Sequence, residues 1–306
     1  MVILSDFRSP MQPYPGLETY ARRFDLPHSK VRLFAFVAGE LKPPAIVLLH
    51  GLGDEADSWR HLIEPLSTYG LVVAPDLPGF GRSEKPHRSY TIQFLCDAIL
   101  ELLELLDISR AIIVGNSLGA TIAQTIALET PGWLQGVVVI DGSLMNQAQR
   151  LKPTLLMFLL PGLGEWIYTR LRKDPQAAYE TLRPYYCNLD SLSEEEQQFL
   201  FQRVNQRVWD DEQRYAYLST LRNLASFIVR QQKGLPARLS QVEIPTLILW
   251  GEVDRIMPSS NGQAAAAAQP SARFVTLAGA GHLPQQECPL AVIQAILDDD
   301  RFLLKE

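Results

Sequence analysis

The chain predicts an α/β fold: a mostly parallel central sheet with helices on both faces, interrupted by a helical insert. Three observations carry this expectation. Short apolar runs of buried-strand character alternate with helical patterns up to about residue 144. Between about 145 and 238 the alternation stops, leaving helical stretches rich in Leu, Tyr, Arg and Gln. It then resumes toward the end of the chain. The expected division is residues 1–144 for the first part of the core, 145–238 for the insert and 239–306 for the second part of the core.

Taken in order, residues 19–24 and 31–37 are strand-like and predict an antiparallel pair. Residues 45–49, 71–74, 111–114 and 136–140 are short apolar strands of the parallel, buried kind. A helix is predicted from Thr91 to about Ile108, with Gln93, Asp97, Glu101 and Glu104 at helical spacing along one side, which reads as a solvated face. In the insert, Ser193 followed three residues later by Glu196 reads as a capped helix start. A strand at 246–250, an alanine-rich helix around 264–268, a strand at 273–277 and a helix from Pro289 to about Leu297 complete the pattern.

Composition narrows the function. The 306 residues carry a net charge of −6 and no basic cluster, so nucleic acid is not an expected partner. Three scattered cysteines, Cys96, Cys187 and Cys288, support neither a disulfide framework nor a zinc site. Residues 1–6 lack the longer apolar core of a secretion signal. The longest apolar run, 155–160, ends at Pro161-Gly162, far short of the roughly 20 residues that span a bilayer. A cytoplasmic location is expected, and the oligomeric state stays open.

The chemistry is concentrated in Gly115-Asn116-Ser117-Leu118-Gly119, between an apolar strand and a helix-like stretch. Gly-x-Ser-x-Gly in that setting places a serine on a tight turn with its hydroxyl above the sheet edge. A serine hydroxyl is a weak nucleophile at neutral pH and needs a base, usually a histidine oriented by a carboxylate. With such a turn the partners follow in the order serine, acid, histidine. Of His28, His50, His61, His87 and His282, only His282 follows Ser117. Asp254, Asp141 and Glu252 all satisfy the order as the acid, each at or just after a strand end. The oxyanion needs exposed amides. The N–H groups of Leu52, in the turn His50-Gly51-Leu52-Gly53, and of Leu118, opening the helix after the serine, are the candidates. His50 reads as a buried turn residue, and Gly79-Phe80-Gly81-Arg82-Ser83 lacks the third glycine or the lysine of a phosphate loop. No Asp/His spacing suggests a metal.

Five segments together resemble the α/β-hydrolase fold superfamily. His50-Gly51-Leu52-Gly53 resembles its oxyanion motif, residues 76–83 its loop after the fourth strand, and residues 115–119 its nucleophile elbow. Residues 251–258 resemble its acid segment, which singles out Asp254, and Gly281-His282-Leu283-Pro284 its histidine loop. The resemblance implies a serine hydrolase with the triad Ser117, Asp254 and His282, acting without cofactor or metal on a small to medium apolar carboxylic ester. It also implies that the insert is a cap over the site. Gly51, Asn116, Trp166, Trp209 and Leu283 are the expected pocket residues, with 155–160, Tyr168 and Tyr217 also available. Relatives that cleave epoxides or haloalkanes carry aspartate where this chain has Ser117. Asn116 resembles hydrolases that split carbon–carbon bonds in aromatic meta-cleavage products, which typically carry tryptophan where this chain has Leu283. An acyl transferase or perhydrolase with the same triad, or a ligand-binding receptor on the scaffold, are the alternatives.

Overall fold

The computed structural model describes residues 7–129, 131–146 and 157–302, and within them eight strands join one sheet. They are β1 (Ala21–Leu26), β2 (Val31–Ala38), β3 (Ala45–Leu49), β4 (Val72–Pro75), β5 (Ala111–Asn116), β6 (Leu134–Ile140), β7 (Thr246–Gly251) and β8 (Ala272–Leu277). The spatial order is β1-β2-β4-β3-β5-β6-β7-β8. β1 and β2 are the expected antiparallel pair, with Ala21 opposite Phe36, and β2 also meets β4 antiparallel. All pairings from β4 to β8 are parallel.

Successive strand residues point to opposite faces, so each buried strand must satisfy two apolar layers. Val47, Leu49, Ile113 and Val139 join one layer. It is covered by α2 (Ile92–Leu105) and α3 (Leu118–Glu129), which follow the short α1 (Ile63–Ser67). Ile46, Leu48, Val114 and Ile140 join the other layer, with Trp59, Leu66 and Ile296. This double coverage is why the strands read as unbroken apolar runs.

Helix α2 starts where expected, with the Thr91 hydroxyl accepting from the Phe94 amide at 3.1 Å. One of its acids departs from the solvated-face expectation. Glu101 is buried and accepts the amides of His28 at 2.7 Å and Ser29 at 2.8 Å, tying α2 to the β1–β2 turn. Those partners lie some seventy residues away along the chain, beyond any periodicity argument.

Between β6 and β7 the described residues hold helices and no strand: α4 (Leu163–Arg170), α5 (Pro175–Glu180), α6 (Glu194–Trp209), α7 (Asp211–Gln231) and α8 (Leu235–Leu239), with short 3-10 turns. Residues 147–156, including Leu155 and Leu156, lie outside the described part. Buried ion pairs clamp α6 to the loop after β3. Arg207 reaches Asp54 at 2.5 Å and Glu55 at 2.7 Å, and Arg203 reaches Glu55 at 3.1 Å. Glu196, at the start of α6, pairs with Arg60 at 2.8 Å. After β7 come α9 (Ser259–Ala268), α10 (Pro284–Glu287) and α11 (Pro289–Leu297). Among the described residues no helix is long and apolar enough to cross a membrane.

Candidate active site

The site is built on the turn from β5 into α3. Ser117 occupies it alone, with φ +52°, a left-handed conformation that costs a side-chain-bearing residue about 1–3 kcal/mol. Surrounding bonds hold it there: its amide donates to the Ile140 carbonyl at 2.9 Å, and its carbonyl accepts from the Thr121 amide at 3.1 Å. The flanking glycines are demanded by contact. A Cβ on Gly115 would overlap the Gly119 backbone, and one on Gly119 would overlap the Leu49 carbonyl of β3. Gly119→Ala therefore lowers stability by about 2–3 kcal/mol in urea denaturation, with activity falling in parallel as the turn shifts.

Leu118 opens α3, where the first amides have no partner within the helix and carry its positive dipole end. The Gly51 turn runs alongside, close enough that a Cβ on Gly51 would lie 3.5 Å from the Ser117 Cβ. His50 shapes this turn. It is fully buried, its Nδ1 is 2.8 Å from the Gly51 carbonyl and its Nε2 accepts the Leu77 amide at 2.9 Å. Burial holds its imidazole below the usual range, so it stays neutral.

On the far side, the His282 Nδ1 lies 2.9 Å from the Asp254 Oδ2, and both side chains are almost wholly buried. The other Asp254 oxygen accepts the amides of Ile256 at 2.7 Å and Met257 at 3.1 Å. With both oxygens engaged, the carboxylate is fixed in orientation. The His282 loop is held by its amide donating to the Tyr185 carbonyl at 2.7 Å. It is joined to the serine turn by Asn116, whose Nδ2 donates to the His282 carbonyl at 3.0 Å and to Ile140 at 3.2 Å. Asn116 is fully buried and serves as a strut between the two loops rather than as a pocket wall. The other two acids fall differently. Glu252 is exposed and accepts from the Gly279 amide. Asp141 lies beside Asp254, with one atom each of Asp141, Asp254 and His282 mutually within 4.8 Å.

The expected pocket residues divide. Gly51 lies at the serine, as above. Leu283 is buried in a small cluster with Tyr179, Tyr186 and Leu200 of the insert. Trp166 is a correction: it is 54% exposed, under the Arg170 guanidinium. Trp209 is another, for it lines a separate cavity of 340 Å³ with Phe7, Arg82 and Lys85. Helical periodicity marks apolar positions in the insert but not how each helix is rotated against the core. Tyr168 and Tyr217, expected as available, and Tyr185, which was not, lie nearer the site. Tyr217 lies directly over Gly53, Tyr168 packs 5.6 Å from Tyr217, and Tyr185 lies 5.7 Å from the His282 ring. Burial, reinforced by the facing hydroxyls of Tyr185 and Tyr168, pushes the Tyr217 phenol well above its ordinary range, so it stays neutral. Tyr185 meets the His282 loop through both its ring and its backbone carbonyl, a contact between segments nearly a hundred residues apart that no local pattern marks.

The family model of the alpha/beta hydrolase fold matches residues 44–288. An uncharacterized hydrolase of Bacillus subtilis, YugF, is 30% identical over 256 residues, covering 83% of this chain and 88% of the relative. A 2-hydroxy-6-oxononadienedioate/2-hydroxy-6-oxononatrienedioate hydrolase of Pseudomonas putida is 29% identical over 260 residues, covering 83% and 86%. Among solved structures, the 2-hydroxy-6-oxo-6-phenylhexa-2,4-dienoate hydrolase of Rhodococcus sp. strain RHA1 superposes with a TM-score of 0.77 at 26% identity, covering 92% of this chain and 98% of that one. The chain belongs to the alpha/beta hydrolase fold family.

Proposed function

We propose that the protein is a serine hydrolase that cleaves small to medium apolar carboxylic esters through an acyl-enzyme, with the helical insert as its cap. The observation that carries this reading is the conjunction of a serine strained on a tight turn with the buried His282–Asp254 pair. Ser117 Oγ attacks the ester carbonyl carbon while the imidazole takes its proton through Nε2. Asp254 accepts the Nδ1 hydrogen, holding the tautomer and stabilising the imidazolium. The amides of Leu52 and Leu118 receive the developing oxyanion, each worth about 3–4 kcal/mol in the transition state. The tetrahedral adduct expels the alcohol, which takes the proton from imidazolium. Water, deprotonated in turn by His282, then releases the carboxylic acid and returns the hydrogen to Ser117. No cofactor or metal enters these steps.

The surroundings favour a neutral substrate. The insert presents the aromatic rings of Tyr168, Tyr185 and Tyr217, while the nearby cations Arg203 and Arg207 are already paired with Glu55 and Asp54. An anionic substrate finds no ready counter-ion in that group.

A second reading, hydrolysis of a carbon–carbon bond in a dienoic acid, is favoured by the Pseudomonas and Rhodococcus relatives. A panel of p-nitrophenyl esters from acetate to decanoate, run beside a phenyl-substituted dienoate, separates the two. We expect ester turnover with a peak at short to medium acyl length and no loss of the dienoate's visible absorbance. Bleaching of the dienoate with inert esters overturns the ester reading.

A further inference from the structure

The fold spends a second carboxyl group on the dyad, and its protonation decides what that group does. Asp141 closes β6 in a left-handed conformation, φ +46°, with its amide bonded to the Leu249 carbonyl at 3.1 Å. This backbone turns its side chain into the gap between β6 and β7. There its Oδ1 accepts the Gly251 amide at 2.8 Å, while its Oδ2 is buried with no donor reaching it. The side chain is wholly shielded from solvent. The groups that face it are Asp254 from the turn after β7, His282 from the loop after β8, and Glu287 and Cys288 at the end of α10. Arg255, beside Asp254, is exposed and acts on Glu287 instead. Glu287 is itself partly buried and accepts the amides of Gly281 and Cys187, and the Cys288 thiol is pushed up to about 11 by burial and by Glu287 and Asp141. Asp141 thus sits among acids, with the His282 imidazole as the nearest base.

Two buried carboxylates cannot both stay ionised at this separation, so one proton is retained between them. Donor counting assigns it. Asp254 receives two backbone amides and the imidazole, whereas Asp141 receives one amide. The anion belongs where the donors converge.

We propose that Asp141 is a positioning residue: a neutral carboxylic acid that donates its proton to the Asp254 carboxylate and so holds that carboxylate against His282. The inference rests on the triad reading above. Burial, the Asp254 charge and the carboxyl–carboxyl hydrogen bond all displace Asp141 well above the ordinary carboxylate range, in agreement with the donor count. The consequence for stability has a definite sign. A carboxyl whose folded value lies above its unfolded value binds an extra proton in the native state, so stability is greatest below about pH 4 and falls as pH rises toward the folded value.

The test compares wild type with Asp141→Asn and Asp141→Ala in two readouts. Asparagine keeps a donor toward Asp254 without charge; alanine removes it. We expect Asp141→Asn to keep kcat/KM for a p-nitrophenyl ester within about three-fold, with the acidic limb of its pH profile unmoved. Asp141→Ala should lose about 10- to 100-fold, as when a partner that orients a ligand is removed. In thermal unfolding, Asp141→Asn should gain on wild type progressively from pH 4 to pH 8. A charged Asp141 predicts the opposite: Asp141→Asn would shift the acidic limb down by about one pH unit and would gain nothing in stability with rising pH. Either result overturns the proposal. Should no ester be turned over by any of the three proteins, the hydrolase reading fails, while the unfolding series still decides the protonation of Asp141.

Discussion

Ser117→Ala lowers kcat/KM for any ester the enzyme accepts by about 10,000-fold or more, a loss of roughly 5 kcal/mol or more in transition-state stabilisation. The serine is the only atom source for the acyl bond in the proposed route, and no other group of the site replaces it. The fold does not depend on its hydroxyl, because the bonds that pin the turn come from its backbone amide and carbonyl. The melting temperature of Ser117→Ala should therefore stay within about 3 °C of wild type. A large fall in both would mean that the turn had collapsed, and steady-state kinetics beside a melting curve separates the cases. A fall in activity alone identifies the nucleophile.

The second large effect lies beneath the site. Asp76→Asn destabilises the protein by about 3–5 kcal/mol at pH 7, the range for breaking a buried pair from one side. Asp76 is wholly buried, and its two oxygens collect four donors: the Ala56 amide at 2.7 Å, the Arg82 amide at 2.6 Å, and the Arg82 Nε and Nη2 at 2.8 and 2.9 Å. An amide there presents a donor to donors and leaves a buried guanidinium short of one counter-charge, with Asp57, 2.6 Å from Arg82, and Glu55 remaining. Burial alone would raise the Asp76 carboxyl, but the Arg82 charge and the converging hydrogen bonds outweigh it and hold the carboxyl at about 2. With the folded value below the unfolded 3.8, this stabilisation is complete above about pH 4 and disappears as pH falls through 2. Denaturant titrations of wild type and Asp76→Asn should diverge most at neutral pH. Their gap should narrow by about 2–3 kcal/mol toward pH 2. A gap that is constant with pH contradicts the assignment.

How much of this was legible in the chain depends on how far apart the partners lie. The turn at Ser117 announces itself locally in its Gly-x-Ser-x-Gly pattern, with Gly115 required by contact with the Gly119 backbone and Gly119 by contact with the neighbouring strand β3. Chain order isolates His282, and a short turn after β7 brings Asp254 to it. The role of Asp141 was not legible. Sequence order offers it only as a rival to Asp254, and nothing in a linear pattern says that two acids on neighbouring strands will share one buried space. Glu101 fails for the same reason: helical spacing assigns it to solvent, and the amides that bury it come from the distant hairpin. Trp166 and Trp209 show a different limit. An amphipathic helix in the insert has an apolar face, but which side meets the site depends on the Arg203 and Arg207 clamps on α6 and their acids after β3. Of the aromatic residues offered for the pocket, Tyr217 lies over the Gly53 turn with Tyr168 packed against it.

Treatment of the intact protein with a fluorophosphonate, followed by peptide mapping, tests the central claim most directly. The account predicts one stoichiometric phosphonyl adduct, on Ser117, and its near-complete suppression in a folded His282→Ala variant. A folded wild-type protein that stays unmodified, or that carries the adduct on another residue, contradicts it.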